Sequence, residues 1–109
     1  MVKQSDIIKI SFDPTVGSEQ AGYRPAVVVS NDFVISKTNI ITLCPITGGQ
    51  GKSALNVILD ERTEIQGAVL CAHSKAVDLS VRPYKVVGQM PKDKLNEVLE
   101  ILISTIKPS

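Results

Sequence analysis

Arginine, histidine and cysteine are scarce in this chain. The 109 residues include one histidine, His73, three arginines, Arg24, Arg62 and Arg82, and two cysteines, Cys44 and Cys71. One His and two Cys without metal-ligand spacing argue against a zinc site. Each cysteine sits in an apolar, strand-like run and reads as a small buried hydrophobe of a reducing compartment. The formal net charge of +1 excludes a basic coat of the kind that binds duplex DNA nonspecifically, though not a local basic cleft. Long apolar runs are also missing, so no bilayer span is expected. The start, MVKQSD, has no apolar segment behind its charge, so the expected location is the cytoplasm.

What is present is a single domain's worth of core. Hydrophobic residues make up 43% of the chain, too many for disorder. Residues 6–12, DIIKISF, put Ile8, Ile10 and Phe12 on one face with the period-two pattern of a strand. A turn-rich segment, DPTVGSEQAGY, comes next, and residues 25–30, PAVVVS, form a β-branched second strand. Residues 31–37 predict a helical turn capped by Asn31. Strands are expected over 40–46, 56–59, 68–73, 75–79 and 84–89. Pro91 then opens a helix whose apolar stripe is Leu95, Val98, Leu99, Leu102 and Ile106. Several short strands and one terminal helix predict a mainly β domain, a small curved antiparallel sheet or open barrel capped by the helix. Its exposed edges favour pairing with a second chain.

The stretch CPITGGQGKSAL, residues 44–55, ends like a phosphate-binding P-loop. The spacing fails: Ile46 stands where the pattern needs glycine, and the segment after Ser53 reads as a short strand rather than a long helix. A flexible hairpin loop is the better reading, with Lys52 available to a passing anion. The start of the stretch matters more. A strand delivering Thr47 at its end puts a hydroxyl at a mouth. Another strand begins at Arg24-Pro25, where the proline biases Arg24 toward extended backbone. A guanidinium fork projected from a defined point suits phosphate oxygens.

These residues resemble a known family. FDPTVGSEQAGYRPAVVVS (12–30), CPIT (44–47), GAVLCAHSKAVD (67–78) and VVGQMPKDKLNEVLEIL (86–102) are similar, in order and spacing, to the blocks of the MazF/PemK (Kid) toxins of bacterial toxin–antitoxin systems. The resemblance implies an SH3-like antiparallel barrel with a C-terminal helix, acting as a homodimer without metal or cofactor. It implies an endoribonuclease that cuts single-stranded RNA, often mRNA, at short sequences. It also implies a cognate antitoxin that lays an acidic tail over the RNA groove. The family's arginine falls on Arg24 and its threonine on Thr47. Many relatives carry Asp-Gln where this chain has Ala72-His73, and Kid-like members use that Asp in proton transfer. Ala72 cannot titrate, so either Arg24 and Thr47 suffice or His73 takes the role. Glu19, Gln20, Tyr23, Lys52, Ser74 and Lys75 are the remaining candidates for RNA contact, with Phe12 a stacking candidate that alternation assigns to the core. Two other readings stay open: a CcdB-like toxin that binds gyrase, and a member that has lost catalysis and only binds RNA or a partner.

Overall fold

The computed structural model describes residues 1–11, 23–49 and 53–109. Seven antiparallel strands form its framework: β1 (Asp6–Ser11), β2 (Tyr23–Val28), β3 (Ile40–Thr47), β4 (Asn56–Ile58), β5 (Ala68–Leu70), β6 (Lys75–Asp78) and β7 (Tyr84–Gln89). A one-turn helix α1 (Asp32–Lys37) succeeds β2, and a longer helix α2 (Lys92–Ser104) succeeds β7. The pairing path runs β4-β5-β3-β2-β1-β7, with β6 also on β3. No pairing among the described strands closes this path, so the sheet is an open, curved one. Residues 12–22, which include Phe12, Glu19 and Gln20, and residues 50–52, which include Lys52, lie outside the described residues.

The central strands are buried on both faces, which is why their sequences are runs of Ile and Val. Ile7, Val27, Val29, Cys44, Ile46, Val57, Val69 and Cys71 face one core, which α2 covers with Leu95 and Val98. Ile8, Ile10, Ala26, Val28, Ile41, Leu43 and Val77 face a second core with Val2 and Ile35 of α1. Successive residues therefore alternate between two packed layers.

Several expectations from the sequence hold and others shift. Asn31 caps α1, its Oδ1 accepting from the Val34 amide at 2.9 Å. The second strand starts at Tyr23 rather than Pro25 and ends at Val28 rather than Ser30, so Arg24 lies inside it. The fifth strand stops at Leu70, and Cys71–His73 form a 3-10 turn instead of continuing to residue 73. One edge of β3 explains this. β5 pairs with its Ile46 and Thr47, whereas β6 pairs with its Ile40 to Leu43. The chain must step out and back to serve both stretches, and Cys71 meanwhile donates its amide to Leu55 O at 3.1 Å. The helical stripe is also shorter than its period suggests. Leu95 and Val98 are buried, Leu99 and Leu102 pack against the same core, but Ile106 is 76% exposed and lies beyond the helix end at Ser104. After Ser53 the chain makes a turn and then β4, not a helix, so the glycine loop has no helix N-terminus to offer a phosphate.

Candidate active site

The register of β2 against β3 decides where Arg24 sits. Ala26 faces Pro45, Val27 faces Cys44 and Val28 faces Leu43. Carried two residues further in the same register, Arg24 falls opposite Thr47. Alternation gives their direction: both share the parity of Ala26, Val28, Leu43 and Ile41, the residues of the second core. Arg24 is exposed and Thr47 half-buried, so the pair lies where that layer opens to solvent. The row extends both ways across the sheet. Ile10 faces both Arg24 and Tyr84. Thr47 faces Ala68, which faces Ile58. A cation and a hydroxyl thus stand between apolar neighbours, on strands rather than on loops.

Among the described residues, neither polar side chain is held by a strong partner. Thr47 Oγ1 makes only a long contact, 3.4 Å, to Gly48 O. The Arg24 side chain has no hydrogen bond or ion pair among the described residues. The other two arginines are occupied. Arg62 is held by Asp60 and Asp93, with Nη2 at 2.8 Å from Asp60 Oδ2 and Nη1 at 2.8 Å from Asp93 Oδ1. This clamp pins the β4–β5 connection to the first turn of α2, and it holds Asp60 down at about 2 through hydrogen bonds from Arg62. Arg82 donates Nη1 to Ser11 O at 2.8 Å. Sequence alone did not single out the clamp, since its partners are 31 residues apart.

The remaining candidates distribute unevenly. His73 is exposed on the 3-10 turn, beside α2, β3 and β4. That turn lies between the stretches pairing with Ile46 and with Leu43, so its backbone is roughly 10 Å along β3 from Thr47 at strand rise. Ser74 comes next and is exposed. Lys75 faces Leu43 and so projects on the same face as Thr47. Tyr23 is 39% exposed but, one residue from Arg24, projects from the opposite face. Cys44 and Cys71 are free and buried. Burial pushes the Cys44 thiol up to about 12 and the Cys71 thiol up to about 11, so neither offers a thiolate nucleophile at neutral pH.

Gly67 was not singled out from sequence, yet it abuts the site. Its φ is +131°, and a Cβ there would stand 2.5 Å from Thr47 O. The backbone that carries Thr47 therefore rests directly on this glycine. No sequence signal short of its place before the apolar run AVLC marks it.

No helix among the described residues is long and apolar enough to cross a membrane. Comparison with known proteins gives a consistent result. The model of the PemK-like, MazF-like toxins of type II toxin–antitoxin systems matches residues 3–106. The endoribonuclease toxin MazF of Escherichia coli K12 is 34% identical over 90 residues, which span 83% of this chain and 80% of that protein. Endoribonuclease PemK of Escherichia coli is 29% identical over 102 residues, 90% of this chain and 77% of that protein. Among solved structures, MazF from Deinococcus radiodurans superimposes with a TM-score of 0.83 at 28% identity, covering 96% of both chains. A MazE-MazF complex from the same organism gives 0.83 at 25% identity, over 99% of this chain and 97% of that one.

Proposed function

This chain belongs to the PemK-like, MazF-like toxins of type II toxin–antitoxin systems, and on that premise we propose that it is an endoribonuclease cutting single-stranded RNA at short sequences by attack of the ribose 2′-OH on its own phosphorus. What supports the proposal is the β2–β3 register, Ala26 opposite Pro45, which when extended by two residues sets Arg24 across from Thr47. The attack expels the 5′ oxygen of the next nucleotide and leaves a cyclic phosphate and a 5′-OH. The nucleophile is part of the substrate, so the protein's task is to stabilise charge on the phosphorane and to move protons.

Arg24 supplies the charge. Electrostatic stabilisation is its role rather than base catalysis. Thr47 donates its hydroxyl to a phosphoryl oxygen. Preorganised donors of this kind contribute about 10²–10³-fold each. Ala68 and Ile58 continue the same row with apolar side chains. His73 enters as the proton-transfer group, since Ala72 offers nothing that titrates. Its replacement by Gln should lower kcat, whereas loss of a base contact would move KM instead. Glu19, Gln20, Tyr23, Lys52, Ser74 and Lys75 are the further residues that contact RNA. DNA lacks the 2′-OH and should remain intact.

The working form is a homodimer in the cytoplasm, formed along the open sheet edges, and its antitoxin lays an acidic segment across Arg24. The test is cleavage of a long RNA in EDTA with mapping of the fragment ends. The proposal expects 5′-OH and cyclic phosphate termini, and loss of cleavage in Arg24→Ala. Fragments with 5′-phosphate would refute internal ribose attack. A supercoiling assay should show gyrase unaffected. Inhibition of gyrase without RNA cleavage would favour the gyrase-binding alternative.

A further inference from the structure

We propose that Lys9 and Lys85, with Tyr23 beside them, form a second contact surface for single-stranded RNA, on the face of the sheet opposite Arg24 and Thr47, where they hold phosphates outside the cut. The inference rests on the RNA-cleaving function proposed for Arg24 and Thr47 and extends it to the path of the flanking chain.

Lys9 of β1 pairs directly with Lys85 of β7 and, on its other side, with Pro25 of β2. Alternation puts Lys9 on the face of Ile7, not that of Ile8 and Ile10. Both lysines are exposed. Directly opposed residues bring their Cβ atoms to about 4.5–5.5 Å, and like charges in that position destabilise the sheet. Neither lysine has an ion pair among the described residues. On this face, the next row toward the helix is apolar, Ile7 with Val27, and the next row away from it is Ser11 with Tyr23. Among the described residues, no carboxylate stands in any of the three rows. Arg82, reaching Ser11 O, adds a further cation at the end of β1. The fold gains nothing from this repulsion; a bound polyanion removes it.

The aromatic neighbour selects the class of polyanion. Point charges from lysines track a phosphate backbone, and a half-exposed tyrosine ring offers a stacking surface for a base, the combination used for single strands without sequence readout. Tyr23 and Arg24 are successive residues of β2 that project from opposite faces. An RNA strand that reaches both faces can therefore touch Tyr23 as well as Arg24.

The experiment compares wild type with the Lys9→Gln/Lys85→Gln variant by binding of a long, fully 2′-O-methylated RNA across a salt series. Two lost phosphate contacts should make the slope of log Kd against log salt shallower by about 1.4, at roughly 0.7 per phosphate for a single strand. Cleavage of a short oligoribonucleotide spanning only the cut site should be unchanged. An unchanged slope would overturn the proposal. So would weaker binding of polyglutamate with RNA binding intact, which would make the surface a peptide site. Lys85→Glu separates function from fold: it should raise the urea midpoint by removing the repulsion while lowering RNA affinity, and a fall in both would contradict the proposal. Because binding is read without cleavage, a wild type that binds with the expected slope but never cuts would sink the catalytic reading and leave this one standing.

Discussion

Replacing Gly67 with alanine should damage the site from behind. The added methyl would stand 2.5 Å from the Thr47 carbonyl oxygen, 3.0 Å from its carbonyl carbon and 3.3 Å from the Gly48 amide nitrogen. All three are backbone atoms, so no side chain can swing aside. The φ of +131° adds strain, because an L side chain rarely adopts it. Backbone strain of about 1–3 kcal/mol and overpacking of about 1–3 kcal/mol together predict a loss of roughly 2–6 kcal/mol. A domain of this size has about 5–15 kcal/mol in total, so the variant should still fold but with a much lower urea midpoint. Relief comes from moving the end of β3, which carries Thr47, or from breaking the Leu59 N–H bond to Gly67 O, now 2.9 Å. A displacement approaching an ångström costs on the order of 10²-fold in rate, so cleavage should drop well beyond the unfolded fraction. The assay is a urea titration and then single-turnover RNA cleavage under conditions where the variant is fully folded. Gly48→Ala is the control, since nothing lies within 4 Å of a Cβ there, and it should behave as wild type. A Gly67→Ala protein with wild-type stability and full activity would refute the reasoning.

Other perturbations probe the same structure. Arg24→Lys keeps the charge but not the fork, and should still lose about 10-fold or more in kcat/KM, checked with a defined oligoribonucleotide. Asp60 is held well below its ordinary 3.8, at about 2, by Arg62 hydrogen bonds. Its contribution to stability is present above the unfolded value and lost as pH falls through about 2, so Arg62→Met should flatten the acid limb of a urea-midpoint profile. The thiols run the other way. Burial raises Cys44 to about 12 from 9.0, so this contribution is full below pH 9.0 and lost as pH rises toward 12; Cys44→Ala should reduce the alkaline loss of stability. Native protein should resist iodoacetamide at pH 8 and label at both cysteines only in urea, because neither thiol is exposed or ionised.

What the sequence makes legible is local. β7 lies where its alternation puts it, Tyr84–Gln89, and Asn31 caps α1 because a short polar acceptor before a helical turn satisfies the Val34 amide. The early end of β5 is not local. An apolar run through Cys71 looks like continuous strand, and only the sharing of one β3 edge by β5 and β6 forces the turn that carries His73. Ile106 continues the helical period, yet the core it would join ends with the Leu102 turn, so burial stops before periodicity does. Arg24 and Thr47 each stand out as polar residues at apolar strand ends. That they share a row depends on a strand pairing spanning the intervening 22 residues, and residues that far apart reveal it only through coordinates or through a family pattern. Gly67 and the Arg62 clamp belong to the same nonlocal class.

The central claim is that Arg24 and Thr47 act on one phosphate. A double-mutant cycle with Arg24→Ala and Thr47→Val, read in kcat for a defined oligoribonucleotide at saturation, tests it most directly. Groups that stabilise the same phosphorane are coupled, so each single variant should lose about 10²–10³-fold and the double variant much less than the product of the two. Losses that multiply, or a Thr47→Val protein that cuts as fast as wild type, would contradict it.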